Sequence, residues 1–147
     1  MRFILVDDIV KMEPGDSIQA VKRIREDEEY FRDHFPGFPV VPGVLLTEMM
    51  AQAAGKCLDA EQKPRGRAIL AQINRAKFNA WVLPGESANV FASIRTNRDT
   101  FAIARSHIEV KGKKVCSAEL MFAFVPNERF AIDYVDEVLT AYFMRNQ

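Results

Sequence analysis

The chain has 147 residues, of which 48% are hydrophobic and 27% charged, a composition typical of a globular protein with one core. Lys and Arg together number 20, and so do Asp and Glu, so the formal net charge is zero. Nucleic-acid binders need an excess of basic charge to neutralise phosphates, so we expect no nucleic-acid partner.

Three features of the sequence bear on its location. The apolar run after Arg2 stops at Asp7 and is shorter than the roughly 7–15 apolar residues of an export signal. No stretch approaches the roughly 18 apolar residues of a membrane span, so we expect no membrane association. Cys57 and Cys116 follow neither a metal-binding nor a redox spacing, which favours reduced thiols. The sequence therefore predicts a cytoplasmic protein.

The first third of the chain predicts two strands and an unusual loop. Residues 3–10 and 17–24 are predicted strands on either side of a turn signal at 13–16, and residues 27–31 suit a short helical turn. Residues 34–43, HFPGFPVVPG, contain three prolines and two glycines, which argue against a helix or a central strand. Because this segment is too apolar for a solvated loop, we expect another part of the structure to cover it.

The strongest helix prediction covers residues 44–58, VLLTEMMAQAAGKCL. Most of these residues are good helix formers, and the Pro-Gly pair just before them suits a helix start. The segment is apolar on nearly all sides, which indicates a central buried helix. A charged loop follows at residues 61–66.

The second half of the chain predicts mainly strands. Strands are predicted over residues 68–73, 86–96, 100–110 and 115–125, with turn-forming residues between them. A short amphipathic helix is predicted over residues 131–143. One buried helix combined with a set of antiparallel strands predicts an α+β fold, with the sheet wrapped around the helix.

Two histidines are candidates for proton transfer. His107 lies in a predicted strand with alternating polarity, which favours a surface or sheet-packing role. His34 lies in the apolar Pro/Gly loop that leads into the predicted helix. From the residues alone, a structural and a catalytic role for His34 both remain open. The two histidines share no metal-ligand spacing, so no metal site is expected.

Glu48 is a candidate general acid. It lies one turn inside the predicted helix among apolar residues, and an unpaired carboxylate is costly to bury unless it has a partner or a task. The helix N-terminus favours the charged form, but we expect burial to dominate and to keep the carboxylic acid protonated. Gln52 lies four residues further on the same face and is expected to hold Glu48 by a hydrogen bond. The structural alternative is a buried ion pair with an Arg or Lys.

The start of the predicted helix adds a third element. The backbone N–H groups of Gly43 and Val44 have no partner within the helix and can stabilise a developing negative oxygen. A glycine at this point also allows a ligand to approach the backbone closely. A base, an acid and an oxyanion site would then lie within fifteen residues, 34–48.

The run from residue 34 to 45, followed by Glu48 and Gln52, resembles the signature of the FabZ-type 3-hydroxyacyl-[acyl-carrier-protein] dehydratases. Stretches on both sides are similar to that family as well, so the resemblance covers about residues 3–125. The resemblance implies a hot-dog fold, with residues 1–147 as one domain and 126–147 as a C-terminal extension.

The resemblance also implies a reaction and the roles of the site residues. Enzymes of this family remove water from an acyl chain on the 4'-phosphopantetheine of acyl carrier protein and use no cofactor of their own. By position, His34 would take the C2 proton, Glu48 would protonate the departing 3-hydroxyl, and the Gly43 and Val44 N–H groups would bind the thioester carbonyl. The family site lies between two subunits, so a homodimer or a trimer of dimers is expected. The related FabA group uses Asp in place of Glu48, which favours dehydration without isomerisation here.

The sequence departs from the family pattern at two positions and leaves other functions open. Asp33 and Asn74 replace the usual Gly and Asp.

Two alternative functions remain open. One alternative is another hot-dog enzyme, such as an enoyl-CoA hydratase or a thioesterase, and the other is a non-catalytic acyl-binding protein. The aromatic residues Phe78 and Trp81 are each predicted to be core residues.

Overall fold

The computed structural model describes residues 1–130 and 135–147. In chain order its elements are β1 (Asp8–Glu13), β2 (Ser17–Arg23), a 3-10 turn (Glu29–Arg32), α1 (Gly43–Asp59), β3 (Arg67–Phe78), β4 (Ser87–Asn97), β5 (Phe101–Val110), β6 (Lys113–Val125), a second 3-10 turn (Asn127–Arg129) and α2 (Glu137–Arg145). The six strands form one antiparallel sheet in the order β1-β2-β4-β5-β6-β3. The predicted α+β class is therefore confirmed.

Helix α1 packs across the inner face of the sheet. Ten of its 17 residues are buried, and the side chains of Met49, Met50 and Leu58 are almost completely so. Burying one such side chain contributes about 1.5–3 kcal/mol, so this helix accounts for much of the core. Its first turn, however, reaches the surface, where Val44 is 76% exposed.

The central strands alternate between a buried and a partly exposed face. In β5, the residues Ala102, Ala104, Ser106, Ile108 and Val110 are buried, and the residues that alternate with them are not. This period of two places one face of the sheet against α1 and leaves the other face to solvent. The small side chains on the inner face allow the helix to lie close to the sheet.

The predicted N-terminal strand at residues 3–10 is wrong in its position, because β1 begins only at Asp8. Instead, the Gln52 side chain forms hydrogen bonds with backbone groups of the segment that precedes β1. Its Oε1 accepts a hydrogen bond from Leu5 N at 2.8 Å, and its Nε2 donates to Phe3 O at 3.1 Å. Leu5 and Val6 are buried. The second half of the apolar run thus packs into the core without joining the sheet, whereas Phe3 and Ile4 remain exposed.

Two other predicted elements differ in length. Strand β3 continues past the predicted end at residue 73 to Phe78, because its pairing with β6 resumes after an irregularity at which Arg75 has a positive φ of 54°. The helix predicted over residues 131–143 overlaps with α2, and residues 131–134 lie outside the described residues. No helix in the described part is long and apolar enough to cross a membrane.

The two edges of the sheet are treated differently. The β1 edge is covered by α2, since Met12 N donates to Tyr142 Oη at 3.2 Å and Arg145 donates to Ile9 O at 3.1 Å. At the opposite edge, β3 exposes Ile69 and Ile73, and no further strand pairs with it in residues 1–130 and 135–147. Uncovered apolar edges favour pairing with another chain.

Candidate active site

His34 lies between the first 3-10 turn and α1, and backbone hydrogen bonds hold it on both sides. Its N–H donates to Tyr30 O at 2.9 Å, and its carbonyl accepts from Val40 N at 3.0 Å. The ring Nδ1 is 3.1 Å from Val40 O. Because a carbonyl oxygen only accepts, Nδ1 carries the hydrogen, and in the neutral ring Nε2 keeps its lone pair. The half-buried imidazole is thus oriented as a base.

The Pro/Gly loop folds into a compact turn beside His34. Phe35 and Phe38 exchange backbone hydrogen bonds of 2.9 Å in both directions, and Gly37 between them has a φ of 79°, which favours glycine. Val40 and Val41 are buried and anchor the loop in the core. The two phenylalanines remain 49% and 47% exposed, so the described residues do not supply the predicted cover.

Tyr30, whose carbonyl binds the His34 backbone, is not a second candidate base. Partial burial, with a smaller contribution from the charge of Glu28, raises the pKa of Tyr30 to about 12. The phenol therefore stays protonated near neutral pH.

The first turn of α1 presents free backbone donors, as predicted. Leu45 N and Leu46 N both donate to Pro42 O, at 2.9 and 3.2 Å. The N–H groups of Gly43 and Val44 have no acceptor among the described residues. Two adjacent donors without partners at a helix start are suited to bind a carbonyl or oxyanion.

The surroundings of Gly43 include an aromatic residue that sequence reasoning placed in the core. A Cβ atom at residue 43 would lie 3.1 Å from the Phe78 ring, so the ring packs directly on the glycine. Phe78 is 49% exposed, and Trp81 is 64% exposed with its ring edge-to-face against Phe38. The core prediction for both was wrong, because they lie at and beyond the end of β3, where no layer covers them. The glycine at the helix start was the one signal for this close contact.

Glu48 is half-buried and lines a cleft of about 600 Å³ between α1, β3 and the N-terminal segment, here called the Glu48 cleft. Gln52 Nε2 donates to Glu48 Oε1 at 3.2 Å, which is the hydrogen bond expected from their spacing. None of the ion pairs in the described residues includes Glu48, which removes the structural alternative. Glu48 is less buried than predicted because it lines this cleft.

The chain does not bring all of the predicted residues into one cleft. Glu48 and Gln52 line the cleft together, whereas His34 is not among its lining residues. In the described part of the chain, no hydrogen bond or ion pair joins His34 to Glu48. His34 and Glu48 therefore do not line the same cleft within one subunit.

His107 lies in a separate groove of about 840 Å³ on the outer face of the sheet. Its Nε2 is 2.8 Å from Glu109 Oε2, and its ring stacks on Phe91 with the centroids 4.8 Å apart. These contacts agree with the predicted sheet-packing role. Among the described residues, no three His, Cys, Asp or Glu side chains are grouped so that they could hold a metal ion.

Comparison with known proteins identifies relatives over most of the chain. Residues 1–119 match the family model of the FabA-like domain. The 3-hydroxyacyl-[acyl-carrier-protein] dehydratase FabZ of Listeria welshimeri is 37% identical over 122 residues, which are 82% of this chain and 85% of the relative. The protein of the same name from Lactobacillus helveticus is 37% identical over 127 residues, 86% of this chain and 85% of the relative.

Solved structures show the same fold at much lower identity. The protein smu.793 from Streptococcus mutans, bound to acetyl CoA, superimposes with a TM-score of 0.65 over 86% of this chain and 94% of its own, at 12% identity. The PaaI protein of the E. coli phenylacetic acid degradation operon gives a TM-score of 0.63 over 80% and 78%, at 13% identity. These likenesses show the hot-dog fold alone. The family is shown by the closer relatives: the chain belongs to the FabA-like family and, within it, to the FabZ-type 3-hydroxyacyl-[acyl-carrier-protein] dehydratases.

Proposed function

We propose that this chain removes water from 3-hydroxyacyl groups on acyl carrier protein and so forms trans-2-enoyl thioesters for fatty acid biosynthesis, with His34 as the base and Glu48 as the acid. The FabZ relatives support the reaction class. The observation that best supports the assignment of the base is the hydrogen bond between His34 Nδ1 and Val40 O, 3.1 Å long, because it leaves Nε2 as the acceptor.

The reaction needs a proton removed at C2 and a proton supplied at the 3-hydroxyl. His34 Nε2 takes the C2 proton, the electron pair forms the C2–C3 double bond, and the C3–O bond breaks. Glu48, in its protonated form, gives its proton to the departing hydroxyl, which leaves as water. Each such proton transfer contributes roughly 10²–10⁴-fold to the rate. Proton exchange with solvent then restores His34 and Glu48.

The thioester oxygen gains negative charge as the C2 proton leaves. The free N–H groups of Gly43 and Val44 lie at the start of α1, about one turn before Glu48. In this proposal they stabilise that charge. Gln52 orients Glu48 through its amide and fastens the N-terminal segment to α1 with the same side chain. Gln52 is thus a positioning residue in this account.

The site is completed by a second copy of the chain. The β3 edge is open, and apolar side chains are exposed around it, on the Pro/Gly loop and at the start of α1: Phe35, Phe38, Val44, Ile69, Ile73, Phe78 and Trp81. A monomer rarely exposes so much apolar surface on one side. Pairing of two β3 strands would cover this surface and place His34 of one subunit near Glu48 of the other. The oligomer is a dimer or a trimer of dimers.

Turnover of a defined substrate tests the proposal. The protein is incubated with 3-hydroxybutyryl-[acyl carrier protein] and no added cofactor, while the ultraviolet absorbance of the enoyl thioester and the release of free thiol are followed together. We expect the enoyl absorbance to rise without thiol release. Thiol release instead would make the chain a thioesterase, and the absence of both signals would make it a non-catalytic acyl-binding protein. Preference for the CoA thioester would indicate an enoyl-CoA hydratase.

A further inference from the structure

We infer that the C-terminal segment, residues 135–147, limits the length of the acyl chain that the enzyme accepts. This inference rests on the proposed function, because it takes the acyl chain to lie in the Glu48 cleft. The match to the family model ends at residue 119, so the segment lies outside the part of the chain that the family model describes. Residues 135–138 nevertheless line the same cleft as Glu48 and Gln52.

The lining of the Glu48 cleft changes along α1. Glu48 and Gln52 lie toward one end, and the apolar lining comes from Ala51 and Gly55 on α1 and from Ile69 and Leu70 on β3. The far end is charged and consists of Lys56, Asp59, Arg67 and Asp136. A rise of about 1.5 Å per residue puts Lys56, the first residue of the charged end, about 12 Å from Glu48 along the helix axis.

The charged end is built from paired groups. Lys56 Nζ lies 2.7 Å from Asp136 Oδ2, and both side chains are only 12% exposed. The other oxygen of Asp136 accepts a hydrogen bond from Leu139 N at 3.0 Å and thereby caps α2. Asp59 and Arg67 form a second pair beside it at 3.1 Å. An alkyl chain that reached these groups would meet desolvated charges and gain little from burial there.

The side wall next to the charged end comes from the same segment. Val135 and Val138 line the cleft, and Val135 is 61% exposed. The helix behind them is fastened to β1 by Tyr142 and Arg145. The wall and the charged end are therefore held to the body of the subunit. Together they limit the apolar part of the cleft to the stretch between Glu48 and Lys56.

A double substitution of the charged end tests the inference. Lys56→Met with Asp136→Asn removes both charges and keeps a good N-cap for α2, and replacing both members of a buried pair is usually tolerated. We expect the ratio of kcat/KM for trans-2-dodecenoyl to that for crotonyl thioester to rise on the order of tenfold, because extra methylenes then meet apolar surface. The matched control is Lys22→Met with Asp7→Asn, a partly buried pair outside the cleft.

A second substitution tests the side wall in the opposite direction. Val135→Trp fills the cleft from an exposed position and leaves the core intact, so we expect the same ratio to fall. Val10→Trp is its control, because Val10 is 54% exposed on β1 and does not line the cleft. If the double variant fails to fold, the kcat/KM ratio of Val135→Trp tests the inference on its own.

The outcomes separate the inference from the function on which it rests. Ratios that shift in opposite directions for the two cleft variants, and in neither control, support the C-terminal segment as the limit. Unchanged ratios in folded cleft variants overturn the inference and leave the dehydratase intact. A wild-type protein that turns over no thioester of any length overturns the proposed function instead.

Discussion

The two histidines of the chain differ in which ring nitrogen is occupied. His107 lies in the larger groove, next to a carboxylate, and its Nε2 is bound to Glu109. His34 lines neither this groove nor the Glu48 cleft, and its Nδ1 is held by the carbonyl of Val40. A carbonyl orients the ring and leaves Nε2 available, whereas Glu109 occupies that nitrogen. His34 is therefore proposed as the base because its Nε2 has no partner among the described residues, although His107 lies in the larger groove.

The two half-buried carboxylates differ in the same way. Glu109 pairs with an imidazole, and Glu48 is held by the neutral amide of Gln52. A neutral partner orients a carboxyl group without fixing its charge, so the group can still hold a proton for transfer. His107 and Glu109 therefore bind each other, whereas His34 and Glu48 each have a neutral partner.

Replacing each histidine by alanine gives the largest expected contrast. His34→Ala is expected to lower kcat for hydration of a crotonyl thioester roughly 10³–10⁴-fold, because no other group of the loop can act as the base. His107→Ala, the matched control, is expected to keep kcat near the wild-type value. Both rates are measured on proteins with wild-type melting behaviour. The comparison breaks if the His107 variant is the inactive one.

Replacing each carboxylate by its amide is expected to give the second-largest contrast in kcat. Glu48→Gln keeps the side-chain shape but has no proton to give, so we expect kcat to fall roughly 10²–10³-fold. Glu109→Gln serves as the control and should leave kcat near the wild-type value. An active Glu48→Gln enzyme would remove Glu48 from the mechanism.

Gln52→Ala should have a smaller effect on rate and an additional effect on stability. Loss of the hydrogen bond to Glu48 is expected to lower kcat about tenfold with little change in KM. The same substitution leaves the buried Leu5 N–H without its acceptor, which should cost about 1–3 kcal/mol of unfolding free energy. Urea unfolding and steady-state kinetics measure the two effects, with Gln19→Ala on the outer face as the control. A stability loss with unchanged kcat would make Gln52 merely structural.

Treatment with a thiol reagent, which targets cysteines, should have no effect on activity. Burial raises the pKa of both Cys57 and Cys116 to about 11, and neither side chain is exposed. Their thiolates therefore form only as the pH approaches that value, and at pH 8 a thiol reagent should leave the native enzyme unmodified and active. Rapid labelling with loss of activity would instead indicate a cysteine nucleophile and a different reaction.

Much of the fold follows from the sequence because it depends on local patterns. The composition of residues 44–58 and the alternation in the later strands were enough to predict α1 and the sheet. The N-terminal segment was predicted wrongly because its backbone partners are on Gln52, 47 residues away from Leu5. The exposure of Phe78 and Trp81 could not be predicted from their apolar side chains. Apolar residues are found both in a protein core and on a surface that binds another chain. The pairing of His34 with Glu48 was predicted from the family signature. Local sequence patterns could not predict it, because the two side chains do not line the same cleft within one subunit.

A mixed dimer tests most directly whether His34 and Glu48 of one site come from different subunits. His34→Ala and Glu48→Gln subunits with different affinity tags are co-expressed, and the heterodimer is isolated through both tags in turn. Its kcat is compared with those of the two parent homodimers. One site of the heterodimer then contains an intact His34 and an intact Glu48, so about half of the wild-type activity is expected while both parents are inactive. A heterodimer as inactive as its parents would show that each site lies within one subunit and would contradict the account.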